Sequence, residues 1–374
     1  MDYIGYSLEK KKCICIVLPD LRGGGAERVC VDLAVEFVKS GYFVHFVLMQ
    51  AEGELVQEAE QVAEIFDLKC SRMRQFPVAF KKYLKDNFPD IVLVAMWPLT
   101  VLAPVAQRLS GHRCTVVVSE HGVLSAQYRD WGRLHRCLLW LSTSIGYRLA
   151  QHRVGVSSGL VQDMAGLSRM RRDRFHVIHN PIPPRPASAP ETLKAVEDMW
   201  GAPRGARIVT VGSMKTVKNH PLLLRAFAKL KQPDARLMFV GDGKGRDALL
   251  LLANKLGVAD RVILAGFHTD PTPFYMTADL FALSSDYEGF GNVIVEAMAC
   301  GTPVVSTDCP SGPAEILENG RWGLLTPAGD AKALAETMNS ALNTTWDAER
   351  LRKRAADFAP AVAARKYLNL FESP

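Results

Sequence analysis

The sequence has no C-x-x-C pair, no cysteine and histidine cluster at zinc spacing and no apolar run long enough to cross a bilayer. Its eight cysteines, at positions 13, 15, 30, 70, 114, 137, 300 and 309, fall mostly inside apolar segments. That usage suits reduced core thiols in a cytosolic protein and excludes a disulfide-stapled or zinc-built scaffold. The most apolar long stretch, Val92 to Ala106, contains Pro98 and Pro104 and falls short of the roughly 20 residues a spanning helix needs. Lys10, Lys11 and Lys12 precede the apolar run Cys13–Leu18. That run is too short for a signal-peptide core and passes into a loop without a small-residue cleavage site, so it reads as a buried first strand. No zinc finger or aromatic RNA-binding signature is present, and no nucleic-acid partner is expected. No D-x-D pair stands near a glycine loop or a strand end, so no metal and no other cofactor is expected to bridge phosphates here.

What remains is an ordinary globular composition: 374 residues, 48% hydrophobic and 22% charged, with a mean hydropathy of +0.03. That length exceeds what one hydrophobic core usually supports and favours two. Charge is distributed unevenly. Lys69 to Arg174 holds 17 Lys or Arg against 6 Asp or Glu, a surplus of +11 in a chain whose total is +6. A region this basic is either a solvated face or the docking surface of an anionic partner such as lipid head groups or phosphates.

Short apolar runs alternate with amphipathic segments along the whole chain, the pattern of parallel α/β sheets. In the first half the expected strands are Cys13–Leu18, Phe43–Leu48, Ile91–Ala95, Thr115–Ser119, Val154–Ser157 and His176–Ile178. Between the first two, Ala26, Val29, Cys30, Leu33 and Phe37 recur at helical spacing, and Gly41 closes the segment, predicting a helix laid on the sheet. Asn180 to Pro190 then carries five prolines in eleven residues and reads as a linker. After it the alternation restarts with Arg207–Val211, Arg236–Val240, Arg261–Ala265, Asp279–Leu283 and Pro303–Thr307.

Four polar, glycine-bearing clusters stand just past the second-half strands: Gly212–Lys218, Gly241–Arg246, Gly266–Thr269 and Ser284–Asn292. Ligands of open parallel sheets bind at that edge. The first half offers Arg22-Gly-Gly-Gly25 and Ser119-Glu-His-Gly122 at its own strand ends, and two facing ligand edges imply a cleft. Gly24 and Gly25 precede a helix, where backbone N–H groups meet an anion; a ligand-free tight turn is the plainer alternative. The spacing is not G-x-G-x-x-G, and Phe43–Leu48 runs on into Met49 and Gln50 with no acidic residue, which disfavours a dinucleotide dehydrogenase. Glu296 falls in an apolar helix expected from about Asn292 to Gly301, among Val295, Ala297, Met298 and Ala299. A carboxylate there needs a polar partner. Sugar hydroxyls suit it, and so does a salt bridge.

At this point the chain resembles a retaining glycosyltransferase of family 4, a nucleotide-sugar enzyme of the GT-B fold: α/β, two Rossmann-like parallel-sheet domains facing across a cleft. The resemblance rests on Gly24-Gly-Ala-Glu-Arg-Val29, Ser119-Glu-His-Gly122, Gly155-Val-Ser-Ser-Gly159, Ile178-His-Asn-Pro-Ile182, Val211 to Leu223, Gly241-Asp-Gly243 and Tyr287 to Pro310. Glu288 and Glu296 stand where that family has its E-x7-E pair. It implies that residues 1–183 form the acceptor domain, with a C-terminal helix at about 356–374 returning to it, and that 184–355 bind the nucleotide sugar. Glu288, Lys218 and His121 are then the catalytic candidates. Glu288 would hold the transferred sugar, Lys218 the diphosphate and Glu296 the ribose, while His121 would approach the sugar.

The expected donor-binding set is Gly24, Gly25, Ser213, Lys215, Gly241, Arg246, Phe267, Gly289, Phe290, Gly291, Asn292, Val293 and Glu296, with Phe267 seating the base. One departure stands out. Where many members have Gly-Arg, this chain has Gly212-Ser213, which leaves Lys215 or Arg246 to supply a second positive charge. The expected partners are a UDP-linked hexose or N-acetylhexosamine and a lipid-linked saccharide of bacterial surface-glycan assembly. The segment 128–153, with its interleaved cations, aromatics and leucines, is expected to meet the anionic inner face of the cytoplasmic membrane. Packing of Leu138, Leu139 and Leu141 on the domain's own sheet is the alternative. A nucleotide-sugar epimerase or hydrolase, a non-catalytic nucleotide-sugar binder and a phosphate-binding surface protein remain as rival readings.

Overall fold

The computed structural model describes residues 11–185, 187–201 and 204–373. The chain divides into two compact units. One comprises Met1–Val156, Val161–Pro181 and Pro360–Pro374; the other comprises Ser157–Leu160 and Ile182–Ala359. The division thus falls two residues before the expected 183/184 boundary, and the short segment Ser157–Leu160 joins the second unit.

The first unit is built on a seven-stranded sheet. Its strands are β1 (Cys13–Leu18), β2 (Phe43–Leu48), β3 (Glu64–Asp67), β4 (Ile91–Ala95), β5 (Thr115–Glu120), β6 (His152–Gly155) and β7 (His176–Val177). Their order is β3-β2-β1-β4-β5-β6-β7, and every pairing is parallel. Strands covered on both faces must be apolar throughout, and β1, β4 and β5 are buried along nearly their whole length. The helix Gly25–Lys39 lays Val29, Leu33 and Phe37 on this sheet. The C-terminal helix Pro360–Glu372 packs beside it, with Tyr367 and Phe371 against Phe37 at ring-centroid distances of 6.4 and 5.6 Å.

The second unit carries a six-stranded sheet: β8 (Arg207–Val211), β9 (Arg236–Val240), β10 (Val262–Gly266), β11 (Leu280–Leu283), β12 (Val304–Thr307) and β13 (Leu324–Thr326). The order is β10-β9-β8-β11-β12-β13, again with parallel pairings. Both sheets reverse winding direction once, between β1 and β4 in the first and between β8 and β11 in the second. At such a point the connections cross to opposite faces of the sheet, and ligands of open α/β sheets bind at the carboxyl ends of the strands there.

Two edge strands have no counterpart in the sequence reading. The Glu64–Asp67 strand is acidic at both ends, and Leu324–Thr326 has three residues, so neither shows an apolar run. β6 lies two residues earlier than the expected Val154–Ser157, because Val117 to Glu120 of β5 pair with His152 to Gly155. Ser157 is released to the following turn.

Candidate active site

The winding reversal sets the loop after β8 beside the loop after β11. Leu280 and Phe281 pair with Ile208 and Val209, so both chains leave the sheet together. Hydrogen bonds then sew the loops to each other. The Ser284 hydroxyl donates to the Lys218 carbonyl at 2.8 Å, the Asp286 N–H donates to the Val217 carbonyl at 2.8 Å, and the Asn219 amide donates to Asp286 at 2.8 Å. Asn219 also caps the helix His220–Phe227 by accepting from the Leu222 N–H, a role its short polar side chain suits.

This stitching brings Lys218 and Glu288 together. The Lys218 ammonium lies 2.7 Å from Glu288 Oε1, and both side chains are mostly buried, 19 and 11% exposed. The Ser285 hydroxyl donates to the same carboxylate oxygen at 2.6 Å. Beneath the loop, burial pushes His220 down to about 4, so its ring is neutral at neutral pH. The Cys309 thiol is pushed up to about 12, first by burial and then by the nearby Glu288 carboxylate.

Gly289 and Gly291 follow, and the helix Asn292–Ala299 starts there. Gly291 is in the left-handed region at φ 101°, where a glycine costs little. The backbone N–H groups of Asn292 and Val293 precede the intrahelical ladder and are what a helix start offers an anion. Gly289 is held by its carbonyl, which accepts from Ser157 at 2.7 Å and Ser311 at 3.3 Å. Phe290 is 2% exposed and its ring meets Phe358. The ring of Phe290, a member of the expected donor-binding set, thus packs in the core.

Glu296, four residues into the helix, has partners on both oxygens. The Arg185 guanidinium lies 3.0 Å from Oε1, and the Tyr275 hydroxyl donates to Oε2 at 3.0 Å. Neither partner was singled out from sequence. Arg185 sits in a stretch legible only as linker, and Tyr275 in an apolar segment resembling core.

The other expected donor residues occupy the loops of the same edge. Ser213 and Lys215 are exposed after β8, and Arg246 opens the helix Arg246–Lys255 after β9. Gly241 has no room for a side chain, since a Cβ there would stand 2.1 Å from the Gly212 carbonyl oxygen. Phe267 follows β10 with 63% of its surface exposed, leaving its ring face open to a stacking partner.

Gly24, Gly25 and His121 belong to the first unit. Gly24 caps the helix Gly25–Lys39 without a side-chain bond. His121 Nε2 lies 3.2 Å from the Ser119 hydroxyl, which in turn meets the Tyr367 hydroxyl of the C-terminal helix at 2.9 Å. Burial pushes His121 down to about 4, outweighing the support of Asn180. The neighbouring Glu120 is 1% exposed. It accepts from Thr100 at 2.5 Å, Tyr147 at 2.9 Å and the Trp97 N–H at 3.2 Å. Its carboxyl is pushed up to about 7, because burial outweighs those three donors. Among the described residues, no group of three or more His, Cys, Asp or Glu is placed to hold a metal ion.

Comparison with known families identifies the chain. A model described as Glycosyltransferase Family 4 matches residues 23–185, and one described as Glycosyl transferases group 1 matches residues 202–358. The chain belongs to glycosyltransferase family 4. The glycosyltransferase is 28% identical over 349 residues to the N-acetylgalactosamine-N,N'-diacetylbacillosaminyl-diphospho-undecaprenol 4-alpha-N-acetylgalactosaminyltransferase of Campylobacter jejuni, covering 90% of this chain and 91% of that one. It is 27% identical over 324 residues to the N-acetyl-alpha-D-glucosaminyl L-malate synthase of Bacillus anthracis, covering 84 and 83%. Its fold matches that of Anabaena HepE, solved with UDP and glucose, at a TM-score of 0.83 and 21% identity over 97% of this chain and all of that one. The fold of this glycosyltransferase is accordingly GT-B.

Proposed function

We propose that this glycosyltransferase moves a hexose or N-acetylhexosamine from a UDP-linked donor to a lipid-linked saccharide, with retention of anomeric configuration and without a metal ion, in bacterial surface-glycan assembly. The observation that carries the reading is the Lys218–Glu288 pair at 2.7 Å, standing at the winding reversal beside the helix start at Asn292. Breaking the bond from the anomeric carbon to the diphosphate develops negative charge on the leaving phosphate oxygen and positive charge on the sugar. A fixed ammonium and helix-end N–H groups stabilise the first. The Glu288 carboxylate faces the second and the sugar's hydroxyls. The acceptor hydroxyl attacks the face the diphosphate leaves, and its proton passes to the departing phosphate oxygen. Without donor, Lys218 and Glu288 neutralise each other; the diphosphate then competes for the lysine. His121, neutral at neutral pH, acts as a hydrogen-bonding group toward the sugar rather than as a second cation.

The lipid-linked acceptor is supported by the helix Arg133–Leu149. It buries only Leu139, Thr143, Gly146 and Tyr147. Leu134, Leu138, Leu141, Ile145 and Leu149 follow one another at helical spacing, each between 36 and 70% exposed. Of the three leucines weighed from sequence, one packs inward and two face out. Arg133 and Arg136 are exposed on the same helix and Arg129 just before it, cations suited to anionic head groups at about 1 kcal/mol each. Arg148 and Arg153 keep their charge but direct their guanidinium donors to main-chain carbonyls. These features support work at the cytoplasmic membrane face. Among the described residues no helix is long and apolar enough to cross a membrane.

The test is nucleoside diphosphate release from a panel of nucleotide sugars, with an undecaprenyl-diphosphate saccharide, with L-malate and with no acceptor, each with and without EDTA. Release that requires the lipid-linked acceptor and is insensitive to EDTA is expected. Equal release without any acceptor would favour a hydrolase or epimerase.

A further inference from the structure

Glu296 is not a bare carboxylate waiting for a ligand. One oxygen faces the Arg185 guanidinium and the other accepts from Tyr275, both at 3.0 Å. A carboxylate has about four acceptor positions, so two partners leave one position on each oxygen, the number a vicinal diol requires. Tyr275 is fully buried, fixed by its ring contact with Phe281 at 5.7 Å and by the Thr302 hydroxyl donating to its carbonyl. Arg185 is 22% exposed on its side chain and Glu296 15%, so the pair is screened from water far more than a surface salt bridge.

Arg185 is also presented from an unusually stiff stem. Pro181, Pro183 and Pro184 precede it, each with a fixed φ. The Ile182 N–H between them donates to the Phe358 carbonyl at 2.8 Å. A guanidinium on a restrained backbone loses less entropy when it orders a partner. Burial opposes its charge, yet Glu296, with Tyr275, Cys300 and Asp270 beyond it, outweighs that and holds Arg185 above its ordinary range. Its Nε is buried and has no hydrogen-bond partner. A purely structural arginine would be expected to satisfy that donor.

We infer that Arg185 is a positioning residue for the donor's ribose: with Tyr275 it fixes the Glu296 carboxylate so that its remaining acceptor positions take the 2′- and 3′-hydroxyls together. This rests on the reading of Glu296 as the ribose partner. The segment joining the two units thereby sets nucleotide affinity, and it does so through a sugar hydroxyl rather than through the diphosphate.

The experiment is calorimetric titration of the full chain with UDP, GDP and ADP and with their 2′-deoxy forms, carried on with the nucleotide that binds tightest. Arg185→Met should weaken the ribonucleotide about tenfold and the 2′-deoxy form by less than threefold, a loss of about 1.4 kcal/mol confined to the hydroxyl contact. Arg185→Lys should recover part of the loss. In a Glu296→Gln background Arg185→Met should add nothing, because its effect runs through that carboxylate. In turnover, KM for the donor should rise with kcat nearly unchanged. Arg185→Met binding the ribonucleotide within twofold of the native chain overturns the inference, and so does an equal loss on both forms. If Glu296→Gln itself binds like the native chain, or if no nucleotide binds, the reading of Glu296 falls and takes this inference with it. A failure of Arg185 alone leaves Glu296→Gln impaired.

Discussion

The ligand edges of the two sheets are made of different materials. At the edge of the second unit, opposite charges stand in mostly buried pairs: Lys218 with Glu288 and Arg185 with Glu296, at 2.7 and 3.0 Å. At the edge of the first unit the titratable groups are buried and lean toward neutrality. Glu120 is pushed up to about 7 and His121 down to about 4, each by burial, and hydroxyls supply most of the hydrogen bonds. The same winding rule places both edges, but the side chains divide the work. A pair whose lysine can turn to a ligand suits a diphosphate, and a carboxylate held by an arginine suits a diol, whereas a neutral hydroxyl network fixes the shape of a loop. Family membership alone does not reveal that division.

Breaking the charged edge should have the largest effect. Lys218→Ala and Glu288→Ala should each lower transfer by about a hundredfold or more, with a fall in melting temperature as well, because each leaves the other charge of a mostly buried pair without its partner. Steady-state rates and thermal melts together check this; near-native turnover in both variants contradicts it. The neutral edge should fail in the opposite way. Tyr147→Phe withdraws a donor from buried Glu120 and should cost about 1–3 kcal/mol of stability, read in urea unfolding, while nucleotide affinity holds. A loss of nucleotide binding would erase the contrast.

Smaller effects sharpen the comparison. Leu138→Ser with Leu141→Ser should reduce co-sedimentation with anionic vesicles about tenfold, since each leucine carries up to about 1.5–3 kcal/mol of burial, without altering turnover on a detergent-dispersed acceptor. Equal pelleting of native and doubly substituted protein would remove this helix from the membrane account. Glu120 also predicts a pH trend. Its folded value lies above the ordinary carboxylate value of 4.5, so the stability it contributes is full below about pH 4.5 and is lost as pH rises through about 7. The melting temperature of the native chain relative to Glu120→Gln should therefore fall between pH 5 and 8. A flat difference would mean that Glu120 keeps its ordinary value.

Much of this was legible beforehand. Strands buried on both faces announce themselves, and Phe43–Leu48, Ile91–Ala95, Arg207–Val211 and Arg236–Val240 coincide with the observed elements. The edge strands Glu64–Asp67 and Leu324–Thr326 were silent because an edge needs neither length nor continuous apolar character. Glu288 and Lys218 were legible from spacing and strand-end position. Their contact depends on the pairing of β8 with β11, which no local pattern encodes. Arg185 was hidden for a similar reason: a proline-rich segment announces its backbone, and only the tertiary fold shows where its one arginine goes.

The charged edge of the second unit is the proposed nucleotide-sugar site. Hydrogen exchange of the full chain with and without saturating UDP tests it most directly, since bound nucleotide shields the backbone it touches. The strongest protection should appear in residues 212–219 and 284–296, the loops carrying Lys218, Glu288 and the helix start at Asn292. Protection confined to the first unit, or absent from both loops at saturation, would contradict it.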